Sequence, residues 1–291
     1  MNLLNCVKHR SVAHSCDRWC LGSPAALLAV LLLASALATS ACASGNAPRR
    51  GAVPPGTAQP DQYLFDKGQV ALNDKKWLTA REFFKQVDEN YAQSPLRPDA
   101  KLAIGDTYLG EGSSEALVLA INEFQEFLSY FPTNPRADYA QYKLALAHLR
   151  QMRNPERDQT ETRDAIRELQ TFIARYPTSS LMPEVRTRLR EARDRLSMSD
   201  YLVGYFYYRN RWYPGASDRF YAILKDDPEF TERDSVYFYL AETLVKLRRE
   251  AEALTYYERL VKEFEKSDHL DDAKRRIATL KAQADAKEAT P

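Results

Sequence analysis

The sequence predicts an all-α fold, a superhelix of about five stacked helix pairs, on three observations. The first is the run Ser199-Asp-Tyr-Leu-Val-Gly-Tyr-Phe-Tyr-Tyr-Arg-Asn-Arg-Trp-Tyr-Pro-Gly-Ala-Ser-Asp-Arg-Phe-Tyr-Ala-Ile-Leu224, which reads as two short antiparallel helices. Gly204 sits where the helices would touch and Ala216 is the small residue expected opposite it. Phe220 and Ile223 follow at the four- and three-residue steps of one helical face. The second observation is that this grid recurs in five copies. The third is that no stretch needs a strand to explain it. A helix pair that cannot bury its apolar face alone, repeated in tandem, is the tetratricopeptide-repeat (TPR) pattern.

Taken in order, the second helices carry the triplets Ala80, Phe84, Val87; Ala120, Phe124, Phe127; Ala165, Leu169, Phe172; Ala216, Phe220, Ile223; and Ala253, Tyr257, Leu260. The first helices carry Gly68, Gly105, Ala145, Gly204 and Ala241 at the point of close approach. These two sets of small residues stand twelve apart in the first, fourth and fifth copies; the second and third carry insertions at 111–114 and 153–162, expected in loops. The repeats fall near 61–92, 96–132, 136–177, 197–228 and 234–265, within a domain spanning 61–280. Pro214 suits the start of a second helix, where no N–H is needed, and Pro228 ends it. From Pro183 to Asn210 the only breaker is Gly204, so a single helix of about 40 Å should join repeats three and four. Residues 281–291 are expected to be a disordered tail.

The N-terminus has its own logic. Lys8, Arg10 and Arg18 precede an apolar run over 25–37, and Ala38-Thr-Ser-Ala-Cys42 follows. This is the layout of an export signal over 1–41, and the run is too short for a membrane-spanning helix. Cys6, Cys16 and Cys20 would leave with the signal, so Cys42 alone remains and makes no internal disulfide. The Thr-Ser-Ala-Cys42 end resembles a bacterial lipobox, with Thr39 where Leu is usual; cleavage after Ala38 or Ala43 is the alternative. Lipidation would place a covalent diacylglycerol and an N-acyl chain on Cys42, and no other cofactor is expected. Residues 42–60, rich in Ala, Gly and Pro, read as lipid anchor and flexible tether.

Composition narrows the function. Lys plus Arg total 41 against 40 Asp plus Glu, which argues against nucleic acid as a partner. Arg186, Arg190 and Arg193 share a helix face with acidic neighbours between them and read as solvated. After signal removal His148 and His269 stand apart, with no cysteine or carboxylate at metal-ligand spacing. His148 reads as a packing residue. No phosphate loop, nucleophile elbow or His-Glu-x-x-His run occurs, so neither a catalytic nor a metal site is expected. Tyr205, Phe206, Tyr207 and Tyr208 could offer a stacking platform, but at helical spacing inside a repeat they read as core. An array of this kind presents the first helices along a groove that takes an extended peptide. The groove candidates are Phe65, Gln69, Leu72, Leu102, Asp106, Leu109, Tyr139, Tyr142 and Leu146, about half of them expected to be open to it.

Beyond the generic repeat, three stretches are specific: Phe131-Pro-Thr-Asn-Pro-Arg-Ala-Asp-Tyr-Ala-Gln-Tyr142, Arg175-Tyr-Pro-Thr-Ser179, and residues 189–224 with their Tyr207-Tyr208-Arg209 run. In these the chain resembles the BamD family, lipoproteins of the outer-membrane β-barrel assembly machinery. The resemblance implies a non-enzymatic scaffold on the periplasmic face of the outer membrane, held there by its lipid. It also implies partners: unfolded barrel precursors at the N-terminal repeats, a BamA-like barrel subunit at the C-terminal ones, and other assembly lipoproteins. The alternative within this architecture is a periplasmic coordinator of cell-wall or envelope enzymes.

Overall fold

The structure, a computed structural model, describes residues 53–288. Cys42, the signal and most of the tether lie outside the described residues. Among the described residues the chain forms helices and no strand. The helices are α1 (Pro60–Asn73), α2 (Trp77–Asn90), α3 (Arg97–Glu111), α4 (Ser114–Tyr130), α5 (Ala137–Leu149) and α6 (Thr160–Arg175), then α7 (Met182–Arg209), α8 (Tyr213–Asp226), α9 (Arg233–Lys246), α10 (Glu250–Glu263) and α11 (Leu270–Glu288). Each packs on the next, and the first helices of neighbouring pairs also touch, α3 with α5 and α7 with α9. The fold is a TPR array of five helix pairs closed by α11.

The expected close approach is present, but its partner differs. All five second-helix alanines are fully buried. The glycines of the first helices, however, lie under rings and not under those alanines. A Cβ on Gly68 would come within 2.6 Å of Phe84, one on Gly105 within 2.7 Å of Phe124, and one on Gly204 within 2.8 Å of Phe220. The ring four residues past the alanine sits against the glycine and fills the space that a methyl would take. Where the first helix carries Ala145 the residue at that position is the smaller Leu169; where it carries Ala241 it is Tyr257, whose hydroxyl reaches Glu242 at 2.6 Å. Gly pairs with Phe, and Ala with Leu or Tyr.

Two further devices recur in register. In repeats one, four and five the turn between helices places a basic residue in the left-handed region (Lys75, Arg211, Arg248). The next N–H returns to the first helix at 2.8–2.9 Å, Lys76 to Ala71, Trp212 to Tyr207 and Arg249 to Leu244. Gly112 supplies the left-handed residue in repeat two. After the second helix, a hydroxyl ties the following loop back to its own first helix: Ser94 donates to Asp61 at 2.7 Å, Ser179 to Asp138 at 2.6 Å and Ser267 to Asp234 at 2.5 Å. The same serine oxygens accept the N–H groups of Leu96, Leu181 and His269, which starts the next helix. Asn134 takes this place in repeat two, accepting from the Arg136 N–H at 2.8 Å.

Repeat four is tied differently, with Phe230 at the serine's place. Ser197 on α7 donates to Asp227 at 2.6 Å, and Asp227 stands where the other repeats carry an aromatic. Arg190, from the leading part of α7, grips both oxygens of this buried carboxylate. Arg190 is therefore no solvated arginine as its spacing suggested; the fold turns it into the joint with α8. Burial pushes the Asp227 carboxyl up, but the Arg190 fork and the Ser197 hydroxyl outweigh that and hold it below its usual range. The apolar core divides nearby: one cluster spans α1–α5, a small one lies around Phe172 and Val185, and a third fills α8–α11.

Several boundaries depart from expectation. In the first insertion only Gly112 and Ser113 leave the helices, because Ser113 caps α4 through the Ala116 N–H at 3.1 Å. The second insertion ends sooner than expected, with α6 starting at Thr160. The tether folds early: Val53 packs against the N-terminal core and Pro60 opens α1. The helix that carries Leu280 continues to Glu288 where a frayed tail was expected, since Ala-rich charged sequence without Gly or Pro does not stop a helix. The long helix is present as expected, 28 residues from Met182 to Arg209.

The glycine–ring fit predicts that Gly105→Ala destabilises by about 1–3 kcal/mol. Phe124→Leu added to it should cost less than the sum of the two single changes, because Ala145 and Leu169 already coexist in repeat three. Additive urea midpoints would refute the pairing. For the joint, Asp227→Asn should cost on the order of 3 kcal/mol, the low end for a broken buried pair, as Arg190 keeps 27% of its side chain in solvent. Asp227 has a lowered folded pKa, so its contribution is full above about pH 4 and is lost as pH falls through the folded value. Acid titration of stability should therefore be shallower in Asp227→Asn than in the parent; equal profiles would rule this out.

Candidate functional site

The free sides of the first helices form one face, and the groove candidates divide on it. Phe65, Gln69 and Leu72 on α1, Asp106 on α3, and Tyr139 and Leu146 on α5 are half-buried. Leu102, Leu109 and Tyr142 are buried at 1%, 3% and 6% exposure, so these three are packing residues and not groove lining. α3 and α5 are each packed between two chain neighbours, α2 and α4 for the one and α4 and α6 for the other, whereas α1 packs closely on α2 alone. Phe65 rests edge-on against Phe84, 5.5 Å between centroids. An aliphatic and aromatic strip thus runs along α1 and α5 over the N-terminal core.

Between them lies a polar cluster that repeat periodicity did not single out. The Tyr139 hydroxyl donates to Asp106 at 2.8 Å across the α3–α5 seam. Arg136 and Lys143 bracket the Tyr139 ring at 4.9 and 5.0 Å from its centroid, and Arg136 also reaches Asp99 at 2.8 Å. Burial raises the Asp106 carboxyl, and Lys143, Tyr139 and Arg136 offset it only in part. Burial and the neighbouring Asp106 raise the Tyr139 phenol. Tyr142 donates to Glu184 at 2.6 Å, and burial followed by this carboxylate pushes its phenol up to about 12. The signal that could have revealed the cluster is the one-turn spacing of Arg136, at the N-cap of α5, with Tyr139 and Lys143 within it.

The C-terminal half offers a different surface. Tyr205, Tyr207 and Tyr208, read as core from their spacing, are half-buried, and Phe206 is 61% exposed. A core position needs a second element over it, and α7 presents more aromatic side chains than α8 and α9 can cover. Tyr239 of α9 meets Tyr201, Tyr205 and Tyr208 at 6.3, 4.8 and 5.3 Å between centroids. Trp212, 56% exposed, lies edge-on to Tyr207 at 4.5 Å.

The fold also brings together residues that sequence spacing kept apart. His148 is buried, its Nδ1 lies 2.8 Å from Glu161, and Asp164 stands beside them, all three ligand-type atoms within 4.8 Å of one another. Asp164 pairs with Arg167 at 2.6 Å and His148 bonds Glu161 directly, so the group joins α5 to α6 as a hydrogen-bonded set. No helix among the described residues is long and apolar enough to cross a membrane.

A family described as "Outer membrane lipoprotein" (YfiO) matches residues 57–252. The outer membrane protein assembly factor BamD of Caulobacter vibrioides is 27% identical over 233 residues, covering 80% of this chain and 73% of its own. That of Vibrio cholerae is 24% identical over 180 residues, covering 58% and 73%. Among solved structures, the TPR2AB domain of yeast Sti1 in its pHSP90 complex aligns with a TM-score of 0.42 at 14% identity, over 77% of this chain and 84% of that one. With the family match running from the tether into the fifth repeat, and BamD proteins from separate bacteria aligning over 80% and 58% of the chain, this chain belongs to the YfiO family of outer membrane lipoproteins, the BamD family.

Proposed function

We propose that this protein is a non-enzymatic scaffold of outer-membrane β-barrel assembly. Cys42 carries a diacylglycerol and an N-acyl chain that hold the chain at the periplasmic face of the outer membrane. The inner face of repeats one to three receives unfolded barrel precursors, and repeats four and five hold a BamA-like barrel subunit. Other assembly lipoproteins join the same complex. The observation that carries the reading is the family match over 57–252 together with relatives named as assembly factors.

The inner face suits such a ligand chemically. A barrel strand alternates apolar and polar side chains and, before folding, has an unpaired backbone. Phe65, Leu72 and Leu146 offer half-buried apolar contacts to one side of an extended chain. Gln69 offers an amide donor and acceptor, and the Asp106–Tyr139 pair offers polar atoms at the seam of α3 and α5. The joint at Arg190 and Asp227, with α7 rigid through it, keeps the receiving and scaffold ends at a set distance.

Mass spectrometry of the mature N-terminal peptide tests the anchor: a triacylated Cys42 is expected, and an unmodified Cys42 or a chain beginning at Thr39 or Ser44 would refute it. Leu72→Ala with Leu146→Ala should weaken crosslinking to a C-terminal barrel peptide several-fold and leave co-purification of the barrel subunit intact. Arg211→Glu with Lys262→Glu should do the reverse. Loss of both activities in each folded variant, or crosslinks placed mainly beyond Asn210, would end the two-sided reading.

A further inference from the structure

Repeat three differs from the others in how its two helices are joined. Repeat two needs only Gly112 and Ser113 between its helices, whereas residues 150–159 separate α5 from α6. That connection is pinned from within. The buried Gln159 donates to the carbonyls of Asn154 and Arg157 at 2.9 and 3.0 Å and accepts from the Thr162 hydroxyl at 2.8 Å. It therefore fixes where α6 begins, and Glu161 and Asp164, three residues apart on that helix, meet His148 in the last turn of α5. Packing two helices does not by itself call for an imidazole and two carboxylates at one point.

The imidazole is the centre of the group. The His148 side chain is 8% exposed, Nδ1 lies 2.8 Å from Glu161 Oε2, and Nε2 is buried with no hydrogen-bond partner. The tautomer of a histidine is set by what its far nitrogen bonds, and here nothing holds it. Nδ1 is thus free to present a lone pair once the proton it shares with Glu161 is displaced. Negative charge is in excess around it: with a neutral imidazole, Glu161, Asp164 and Glu168 stand against Arg167. Arg163 acts on Asp158 and Asp200 instead. Arg167, 61% exposed, is divided between Asp164 at 2.6 Å and Glu168 at 3.3 Å. A solvent-exposed pair contributes little, so Asp164 can give it up while Arg167 stays on Glu168.

A divalent cation answers this arrangement better than a shared proton does. One imidazole nitrogen with two carboxylate oxygens is a donor set for a zinc-type ion, whereas calcium and magnesium take shells of oxygen. The three ligand-type atoms lie within 4.8 Å of one another. Tetrahedral ligands at about 2.1 Å from an ion stand roughly 3.4 Å apart. Glu161 has then only to ease away from Nδ1, and at 35% exposure its side chain has the room. We propose that His148, Glu161 and Asp164 bind a Zn²⁺-class ion that clips the end of α5 to the start of α6, with water as a further ligand. The unpartnered Nε2 also sets the strength. Metal-bound imidazoles normally donate their other N–H, and lacking that partner costs about 10–100-fold in affinity, which makes this a weak, exchangeable site and not a permanent structural centre. The site goes beyond the role in barrel assembly proposed above and does not depend on it.

The test titrates ZnCl₂ into the full mature chain, purified without a histidine tag, by isothermal calorimetry. Saturable binding of one ion per chain is expected, and Ca²⁺ or Mg²⁺ in tenfold excess should not displace it. His148→Gln, Glu161→Gln and Asp164→Asn should each weaken it at least tenfold with unchanged circular dichroism; the two carboxylates are partly exposed, so their variants keep the test open if His148→Gln unfolds. His269→Gln should bind as the parent does. Co²⁺ in place of Zn²⁺ should give the visible absorption of a tetrahedral ion, lost in Asp164→Asn. Saturating ZnCl₂ should raise the thermal midpoint of the parent and not that of Glu161→Gln. Absence of saturable binding, displacement by Ca²⁺ or Mg²⁺, or parental affinity in folded Glu161→Gln and Asp164→Asn would overturn the proposal. Loss of binding in His269→Gln alone would put the ion elsewhere and overturn it as well.

Discussion

Everything in the array depends on how closely two helices of a pair can approach. In three of the five pairs that distance is set by a glycine with a phenylalanine ring set against it, as Gly68 with Phe84 shows. A methyl on the glycine would meet ring carbon at well under van der Waals contact, so the pair would have to open, and the residues three further along the second helix (Val87, Phe127, Ile223) would lose their burial. Because each pair is the surface on which the next is laid, a change of spacing in one is passed along the stack. Alanine with leucine or tyrosine is a second solution at the same spacing, and the chain uses both.

The loops are built with equal economy. In three of the five repeats one serine accepts the N–H that starts the next helix and donates to the aspartate that began its own, so Ser94, Ser179 and Ser267 each lock two helices with one hydroxyl. In repeat four Phe230 stands at the serine's place and Asp227 at the aromatic's, where Ser197 and Arg190 of α7 both bond to it. That is how a chain of equivalent repeats acquires one junction unlike the others, at the place where the inner face changes from aliphatic with a polar seam to aromatic.

Much of this was legible in the residues. Small and large side chains at fixed helical steps disclosed the five pairs, the fully buried alanines and the long α7, because burial on a helix is periodic. Half-exposed positions were not legible in the same way. Leu102 and Leu109 share a periodicity with Leu72, yet the former pair is buried in a helix packed between two neighbours and the latter is half-buried on α1, which packs closely on α2 alone. The tyrosines of α7 misled for the converse reason: their spacing is that of a core, but no neighbour covers them all. Arg190 looked solvated because its partner stands 37 residues away, at a site where the pattern elsewhere has a ring. Periodicity reports which face is used, while the identity of what covers that face belongs to the tertiary arrangement.

The division of the apolar core beside Arg190 and Asp227 has a thermodynamic side. A tandem array with an unbroken core opens as a zipper, each pair lending stability to the next. Here the α8–α11 cluster is separate from the α1–α5 cluster, and between them stand only the small cluster around Phe172 and Val185 and the charged, hydrogen-bonded joint at Asp227. Charge pairs bind tightly but share little buried surface, so cooperativity is weakest there. Amide hydrogens on the two sides should accordingly fall into two protection classes, with the ladder of α7 continuous through the boundary. The protein would then be able to loosen one end around a partner while the other keeps its full resistance to exchange.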